Sequence, residues 1–357
     1  MKKRFLYGVA ILALLSSSLG IAQDFHFTQF NNTPMVLNPA ETGVLNRDIR
    51  LTTNYRDQWR GIGKAPFSTI GSSLDLCIYP KGSGLNFFGV GLLAARHSQG
   101  LWGLSTTSIL VSASYTKAFD PSGNHFVSFG FQGGINQKAR TDILSDLTWD
   151  NQWSSDRNVF DPRIASQEDI FTTQGRRNFN YTTFSIGALY NGQINPDIQL
   201  KSGVALQNIN KPNTSFAASE VADLPMRFNA YVIGELSSGF DAKIRFVPSF
   251  LYSKMGPQQL INIGFGSRFI LGLNSKYTEY NKETSLYTGL LFRYGDALAP
   301  VVRYEINKLA FGVSYDFTLS SLSNANRSNG GFEVSIAFNS NMEAGKAKNK
   351  ARRIRFL

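Results

Sequence analysis

Residues 309–317 read LAFGVSYDF and alternate strictly between large apolar side chains and small or polar ones. The apolar positions are Leu309, Phe311, Val313, Tyr315 and Phe317, and the positions between them are Ala310, Gly312, Ser314 and Asp316. A period of two with one apolar face predicts a β-strand whose two faces meet different surroundings. This strand is also long enough to cross a membrane at a tilt.

The same alternation recurs from residue 49 to residue 340 and predicts fourteen strands. Their ranges are 49–59, 67–79, 88–96, 105–117, 125–137, 180–191, 198–208, 227–236, 243–253, 259–271, 286–295, 299–307, 309–317 and 331–340. An even strand count is typical of single-chain barrels of the bacterial outer membrane. We therefore predict an all-β fold, a transmembrane up-and-down antiparallel β-barrel at residues 49–340.

The predicted connections alternate in length around the barrel. Short connections are predicted at 80–86, 120–124, 192–197, 237–241 and 307–309, and the long ones at 138–178, 208–225 and 318–330 fall on the opposite rim. Short periplasmic turns with longer outer loops are the pattern of outer-membrane barrels. This pattern places both chain termini in the periplasm, although the connection 274–285 is long for a periplasmic turn.

The composition favours a membrane barrel over a soluble β-sandwich, which would also show alternating strands. Charged residues make up only 17% of the chain, whereas Phe, Tyr and Gly number 28, 14 and 32. The predicted apolar faces end in aromatic residues, as in the interfacial girdles of membrane proteins. These residues are Tyr79, Trp102, Tyr115, Tyr190, Tyr252, Tyr315 and Phe338. Cys77 is the only cysteine, which excludes an intrachain disulfide framework.

The two ends of the chain differ from the barrel in composition. Residues 1–22 carry three cations, a short apolar run and then small residues, and they predict a secretory signal peptide cleaved after Ala22. Residues 341–357 carry six cations and one acid, and they predict a basic periplasmic tail. Because these ends hold most of the formal net charge of +11, we expect no nucleic-acid partner.

Residues 23–43, QDFHFTQFNNTPMVLNPAETG, show neither helical spacing nor sustained alternation. Pro34 and Pro39 disfavour a regular helix or a central strand. The large apolar side chains of this stretch would form a sticky patch in water. We therefore predict that residues 23–48 plug the barrel lumen, where small inward residues such as Gly289, Gly312 and Ser314 could receive them. The alternatives are an arm on a soluble β-domain and a segment that docks outside the barrel on a periplasmic component.

Three short motifs near the start of the chain carry a family resemblance. They are Phe27-Thr28-Gln29-Phe30, Asn38-Pro39-Ala40-Glu41-Thr42-Gly43 and Tyr55-Arg56-Asp57-Gln58-Trp59. In order and spacing they resemble the FSQY-like, NPA-x-x-G and YR-x-QW elements of the PorP/SprF family. The matching residues are Phe27, Gln29, Asn38, Pro39, Ala40, Gly43, Tyr55, Arg56, Gln58 and Trp59. Thr28, Phe30 and the basic tail depart from the family pattern.

The resemblance implies an integral outer-membrane protein of the type IX secretion and gliding motility system of Bacteroidota. It implies a membrane anchor or receptor, with no catalysis of its own, for a secreted surface protein or adhesin that bears a type B C-terminal sorting domain. It also implies contact with outer-membrane lipid and with other secretion components, including a periplasmic peptidoglycan-associated protein. No cofactor and no metal are implied.

Strand parity directs eight cations and five acids into the lumen. The cations are Arg50, Arg56, Arg227, Lys243, Arg245, Arg268, Arg293 and Arg303, and the acids are Asp75, Glu235, Glu305, Asp316 and Glu333. One interpretation is that the surplus cations bind an acidic segment of a partner that enters from outside, with Asn31, Asn32 and Asn38 of the plug also meeting this basic wall. The other interpretation is that the charges form cross-strand pairs that stiffen the wall.

The sequence does not favour an enzyme. His26, His97 and His125 are the only histidines, and the predicted topology places His97 and His125 at opposite ends of the barrel. Two such residues cannot share a catalytic or metal site. The alternative to the anchor is an outer-membrane porin or hydrophobic-substrate channel, because larger barrels can keep an open lumen. An open lumen would favour the channel, and a plugged lumen would favour the anchor.

Overall fold

The computed structural model describes residues 26–60, 66–80, 82, 84–100, 103–140, 153–154, 159–160, 176–216, 221–237, 243–272, 284–321, 323 and 328–341. The predicted signal peptide, nearly all of the basic tail, and most of the predicted connections 138–178 and 274–285 lie outside these residues. Within the described part of the chain, no helix has both the length and the apolar character needed to span a membrane.

Fourteen antiparallel strands close into a barrel in the described part of the chain. They are β1 (Ile49–Gln58), β2 (Phe67–Ile78), β3 (Phe87–Gln99), β4 (Leu104–Ala118), β5 (His125–Ala139), β8 (Asn178–Asn195), β9 (Ile198–Gln207), β10 (Arg227–Ser237), β11 (Ile244–Met255), β12 (Gln258–Gly272), β13 (Thr284–Arg293), β14 (Ala297–Ile306), β15 (Leu309–Thr318) and β16 (Asn329–Ser340). Two short strands, β6 (Trp153–Ser154) and β7 (Val159–Phe160), pair with each other outside the barrel. Each barrel strand pairs with its neighbours along the chain, and β1 pairs with β16 to close the ring.

The predicted fold class, strand count and connectivity are confirmed. Each predicted strand overlaps one barrel strand, and the bounds differ by a few residues at the ends. The largest difference is in β8, which continues to Asn195 because it stays paired with β9 up to the hairpin turn. The β6–β7 ribbon was not predicted, because its sequence has no sustained alternation.

The two faces of the barrel wall differ in the way the alternation predicts. On β2, Ile70 and Leu74 are exposed by 46% and 42%, whereas Thr69, Ser73 and Asp75, which stand next to them, are at most 4% exposed. Because the strands close into a ring, the buried polar residues face the lumen, and the exposed apolar residues face outward to lipid.

The barrel has two rims, and its first strand begins at the same rim at which its last strand ends. Ile49 at the start of β1 pairs with Ser340 at the end of β16, and this end of the barrel is called the terminal rim. The strands β2, β4, β8, β10 and β14 end at the terminal rim. The strands β1, β3, β5, β9, β11, β13 and β15 end at the opposite end of the barrel, which is called the far rim.

Residues 26–48, called the N-terminal segment, form three single turns before β1. They are the 3₁₀ turn η1 (Phe30–Asn32), the helical turn α1 (Pro34–Leu37) and the 3₁₀ turn η2 (Pro39–Glu41). Pro34 and Pro39 each stand in the first turn of a helix, where no backbone N–H is needed. Each proline also prevents the preceding turn from continuing, so no helix in the segment exceeds one turn.

Candidate functional site

The N-terminal segment lies against the inward faces of the strands. Phe27, Phe30 and Met35 are at most 4% exposed. Its hydrogen bonds reach ten of the fourteen barrel strands, namely β1, β2, β4, β5, β8, β9, β10, β13, β15 and β16. Because these partners belong to the inner face of a closed ring, the segment lies within that ring.

The segment runs from the far rim towards the terminal rim. Its first described residue, His26, contacts Arg56 and Arg293, which lie near the far-rim ends of β1 and β13. Gly43 contacts Asp75, which lies near the terminal-rim end of β2. The start of the segment and the end of β16 therefore point to opposite rims. The loop lengths and the even strand count predict that both termini are periplasmic, and this placement stays a prediction.

Two wall carboxylates bind the start of the segment. Asp316 accepts a hydrogen bond from the Thr28 hydroxyl at 2.9 Å, and it also binds Arg56 and Arg293 at 2.7 and 2.5 Å. Glu333 accepts hydrogen bonds from the backbone N–H groups of Thr28 and of the next residue, at 2.6 and 3.0 Å. Buried charges are tolerated when they are paired and hydrogen-bonded. The segment therefore completes a buried charged cluster of the wall.

His26 joins this cluster as a neutral ring. Its Nε2 accepts a hydrogen bond from Arg293 Nη1 at 3.2 Å, and its backbone carbonyl accepts one from Arg56. Burial, together with the guanidinium groups of Arg56 and Arg293, holds the pKa of His26 well below its usual range. Protonation would add a further cation beside two arginines, so neutral pH favours the docked segment.

Neutral side chains bind the residues that follow. Gln29 donates a hydrogen bond to Ser314 Oγ at 3.2 Å and accepts one from Ser335 Oγ at 2.8 Å. Asn32 donates a hydrogen bond to Ser335 Oγ at 3.1 Å. Gly312 leaves room for this contact, because a Cβ there would lie 2.5 Å from Gln29 Oε1. The segment therefore depends on small residues of β15 and β16.

Two details of the expected packing differ from the observed packing. The heavy atoms nearest to a Cβ built at Gly289 belong to Tyr287 and Phe265 of the wall, not to the segment. Asn32 and Asn38 bind hydroxyl and carbonyl groups, whereas the sequence analysis placed them against the basic wall. The reason is that the nearby arginines are paired with wall carboxylates. The side-chain amides of Asn32 and Asn38 therefore bind neutral hydroxyl and carbonyl groups of the wall.

Asn38 joins the segment to three strands. It is fully buried, and its Oδ1 caps η2 by accepting a hydrogen bond from Ala40 N at 2.9 Å. Its Nδ2 donates to the carbonyl oxygens of Ala188 and Val204 at 3.0 and 3.3 Å, and to the Tyr231 hydroxyl at 3.3 Å. One amide therefore attaches η2 to β8, β9 and β10.

Two glycines form the surface on which η2 lies. Gly130 of β5 and Gly187 of β8 stand directly opposite each other in the sheet. A Cβ at Gly187 would lie 1.9 Å from Asn38 Oδ1, and a Cβ at Gly130 would lie 2.3 Å from Ala40 N. Any side chain at these positions would therefore displace η2, which explains why a close contact can form here.

Gly43, the last residue of the second motif, follows η2. It has a left-handed φ of 71°, which favours glycine. Its backbone N–H donates to Asp75 Oδ2 at 2.8 Å, and the same carboxylate accepts from Arg50 Nη2 at 2.7 Å. A Cβ on Gly43 would lie 2.5 Å from the Cα of Gly89 on β3. The glycine of the motif is therefore required both by its backbone conformation and by its contact with the wall.

Glu41 forms the second buried charged contact between the segment and the wall. It is 1% exposed, accepts a hydrogen bond from the Tyr231 hydroxyl at 2.6 Å and pairs with Lys201 Nζ at 3.2 Å. Lys201 was not among the predicted luminal cations. The same strand parity that selected the arginines also directs Lys201 inward, so the signal was present in the sequence.

Six of the eight predicted luminal cations lie within 4.0 Å of a carboxylate. They are Arg50, Arg56, Arg245, Arg268, Arg293 and Arg303. Arg227 is the first residue of β10 at the far rim, and Lys243 is exposed just before β11. The six arginines that lie within 4.0 Å of a carboxylate are therefore ion-paired inside the lumen.

Arg245, Arg268 and Arg303 form a group near the terminal rim, called the basic row. Arg245 of β11 stands opposite Arg268 of β12 in the sheet, and Arg303 lies two strands further on in β14. Glu235 pairs with Arg245 at 2.5 Å and with Arg268 at 3.7 Å, and Glu305 pairs with Arg303 at 2.8 Å. Three cations face two acids, so the row has a net positive charge.

The residues of the third motif lie on both faces of the end of β1. Arg56 faces the lumen, whereas Tyr55 is 39% exposed on the outer face. Trp59 follows the strand with a left-handed φ of 55°, and its ring meets that of Phe67 edge-on at 5.0 Å. Gln58 is the last residue of β1. Only Arg56 of this motif contacts the N-terminal segment through a hydrogen bond in the described part of the chain.

His97 and His125 are held by different pairs of strands. Nδ1 of His97 lies 2.7 Å from Thr69 Oγ1, and Nδ1 of His125 lies 2.8 Å from the Tyr190 hydroxyl. Among the residues that the structure describes, no group of His, Cys, Asp and Glu side chains is arranged to hold a metal ion.

The sequence matches one known family over most of its length. This family, described as type IX secretion system membrane protein PorP/SprF, matches residues 20–338. No curated protein matches the chain.

Several solved barrel structures are similar to this chain at low sequence identity. The TodX deltaS2S3 mutant monoaromatic hydrocarbon channel has a TM-score of 0.47 and 9% identity, over 87% of this chain and 94% of that chain. The Ralstonia pickettii toluene transporter TbuX has a TM-score of 0.47 and 12% identity, over 87% and 94% of the two chains. The CymD monoaromatic hydrocarbon channel has a TM-score of 0.46 and 12% identity, over 91% and 95%.

Proposed function

The chain belongs to the PorP/SprF family of type IX secretion system membrane proteins, and on this premise we propose that it anchors a secreted cell-surface protein or gliding adhesin at the outer membrane. Its closed barrel with an apolar outer face is of the outer-membrane type. The partner in this proposal carries a type B C-terminal sorting domain. We propose that residues 23–48 plug the lumen, so that the barrel holds a partner and does not pass solutes.

The attachment of the N-terminal segment to ten strands is the observation that carries this proposal. A neutral hydrogen bond contributes about 0.5–1.5 kcal/mol to stability, and one to a charged group contributes about 1.5–3 kcal/mol. Asp316, Glu333 and Asp75 each bind the segment through such charged contacts. Together these bonds favour a segment that stays in place, and this supports a barrel that holds rather than conducts.

A deletion separates the plug from its alternatives. Removing residues 24–38 and measuring single-channel conductance in a planar bilayer should give a barrel that conducts more than the intact one. A matched control removes fifteen residues of the tail, 343–357, and should leave conductance unchanged. If the barrel without residues 24–38 conducts no more than the intact barrel, the plug is wrong.

The anchoring role is tested by the proteins that co-purify with the barrel from native outer membrane. We expect a secreted surface protein among them, identified by mass spectrometry. A barrel that conducts when intact and retains no secreted protein would favour the porin or hydrophobic-substrate channel. We also propose that the protein has no catalysis of its own, which is consistent with His97 and His125 being bound to separate strand pairs.

The basic row supports a second contact, on the side of the barrel where β16 ends. We propose that it receives an acidic segment of a periplasmic secretion component, such as a peptidoglycan-associated protein. The sequence predicted that such a segment enters from outside, but the row lies near the terminal rim, so we propose that the acidic segment enters from that side. In the proposed orientation the terminal rim is periplasmic, and the basic tail 341–357 starts there.

Neutralising the row tests this contact. The variant Arg245→Gln with Arg303→Gln should retain less of the periplasmic component in the co-purification. The control Lys254→Gln removes one cation from an exposed position of β11 and should retain the normal amount. Equal retention by both variants would remove the basic row from the proposal without affecting the anchoring of the secreted protein.

A further inference from the structure

A pocket lies between the N-terminal segment and the strands β10, β11 and β12. Its lining includes Phe27, Phe30, Leu37, Arg227, Leu251 and Gln258. Arg227 begins β10, Met255 ends β11 and Gln258 begins β12, so the pocket is at the far rim. It therefore lies at the end of the barrel opposite the basic row.

The pocket is mostly apolar, and its charge has one sign. Phe27, Phe30 and Leu37 of the segment face Leu251 and Met255 of the wall, and all five are buried. None of the described residues that line the pocket is acidic, whereas Arg227 is among them. An apolar cavity beside a guanidinium group suits a ligand with an apolar group next to a carboxylate.

Gln258 adds a polar group to the lining of this pocket. It is half-buried in the first position of β12, and its side chain forms no hydrogen bond with the described residues. A primary amide both donates and accepts, as does the backbone amide of a peptide. This residue suits a ligand in which a peptide group precedes the carboxylate.

The size of the pocket limits the apolar group to one side chain. The pocket has a cavity volume of about 60 Å³. Each water needs roughly 10–15 Å³ by this measure, so the space corresponds to about four to six waters. A liquid volume of about 30 Å³ per water then gives room for one side chain of the size of leucine or phenylalanine.

We propose that this pocket binds the carboxyl-terminal residue of a polypeptide, with an apolar last side chain in the cavity, its carboxylate on Arg227 and the preceding peptide group on Gln258. The far rim is the outer side in the proposed orientation, so this site would receive the end of the secreted partner. The assignment of that partner rests on the proposed function, whereas the binding chemistry does not.

The test uses the purified full chain in detergent and isothermal titration calorimetry with three probes. They are N-acetyl-phenylalanine, its carboxamide, and a short Gly/Ser peptide that ends in phenylalanine with a free carboxylate. We expect the acid and the peptide to bind, and the carboxamide to bind about tenfold more weakly because it cannot form the charged contact. Equal affinity for the acid and the carboxamide would overturn the proposal, and this comparison needs no variant.

Two variants locate the site. Arg227→Gln should weaken binding of the acid about tenfold while leaving the carboxamide unchanged. Lys254→Gln removes a cation from the same hairpin, next to a lining residue but on the outer face, and should leave all affinities unchanged. An unchanged affinity of the acid in Arg227→Gln, or equal losses in both variants, would overturn the assignment.

The peptide probe decides whether the site binds the carboxylate of a polypeptide end or that of a free apolar acid. Binding of the acid without binding of the peptide would show a site for free apolar acids, and it would overturn the polypeptide terminus. Failure of all three probes would overturn the pocket as a site but would leave the conductance and co-purification tests of the anchor unaffected. The two proposals can therefore fail separately.

Discussion

The substitution Gly187→Ala adds one methyl group where the N-terminal segment contacts the wall. The new Cβ would lie 1.9 Å from Asn38 Oδ1 and 3.2 Å from Pro39 Cδ. Such contacts are much shorter than the roughly 3.5–4.0 Å of optimal packing, so Asn38 must move away. This displacement disturbs the cap of η2 and the bonds of Asn38 Nδ2 to β8, β9 and β10.

The expected cost falls on docking and not on the barrel. A neutral hydrogen bond contributes about 1 kcal/mol net. Losing most of the Asn38 bonds therefore makes docking of the segment less favourable by about 2–4 kcal/mol. This changes the ratio of docked to undocked segments by roughly thirtyfold to several hundredfold. The strand itself gains, since alanine in a strand interior is more favourable than glycine by roughly 0.5–1 kcal/mol.

The opposite signs of these two effects make the assay specific. Open probability in a planar bilayer should rise in Gly187→Ala, while the thermal unfolding temperature of the barrel in detergent stays the same or rises. The matched control is Gly234→Ala on β10, where the three heavy atoms nearest to the added Cβ all belong to Pro248, the first at 3.3 Å. This control should leave the open probability unchanged.

A double variant tests whether the shared contact is the cause. Gly187→Ala and Asn38→Ala both remove the bonds of the same amide, so their combined effect on open probability should be little larger than that of Asn38→Ala alone. Additive effects would refute the reasoning, because they would show that the glycine acts through another contact. An open probability of Gly187→Ala equal to that of Gly234→Ala would refute it as well.

Three further predictions concern the Glu41–Lys201 pair, His26 and the orientation of the tail. Glu41→Gln leaves Lys201 buried without its carboxylate at a cost of about 3–5 kcal/mol, so we expect a higher open probability, and Lys201→Met in the same chain should recover part of the loss. Lowering the pH below about 6.5, the ordinary histidine pKa, should increase the open probability. The reason is that His26 is protonated at this pH in the undocked segment but stays neutral in the docked one, so the undocked state is favoured. Bilayer recordings should show a smaller pH response in His26→Gln. Protease added to intact cells should not cleave the tail 341–357, whereas permeabilised cells should lose it, as mass spectrometry would show; cleavage on intact cells would reverse the proposed orientation.

Local alternation was enough to predict the barrel. In LAFGVSYDF and the thirteen similar stretches, each side chain is assigned to one face by its own parity, and no information from distant residues is needed. The even strand count then predicts closure, because a membrane barrel has no free edges. The same parity placed Arg56, Asp316 and Glu333 in the lumen, where the structure has them. It would also have placed Lys201 there.

The pairing of the N-terminal segment with the wall was decided only by the tertiary structure. Thr28 and Glu333 are 305 residues apart, and Glu41 and Lys201 are 160 apart. Parity specifies the face of a residue but neither its height in the barrel nor which strand of the closed ring it meets. The path of the segment from the far rim to the terminal rim has no periodic signal, because its short turns are fixed by prolines, a cap and contacts with inward glycines. The sequence therefore determined the wall of the barrel, and the structure alone decided what the wall binds, since those contacts form only once the ring has closed.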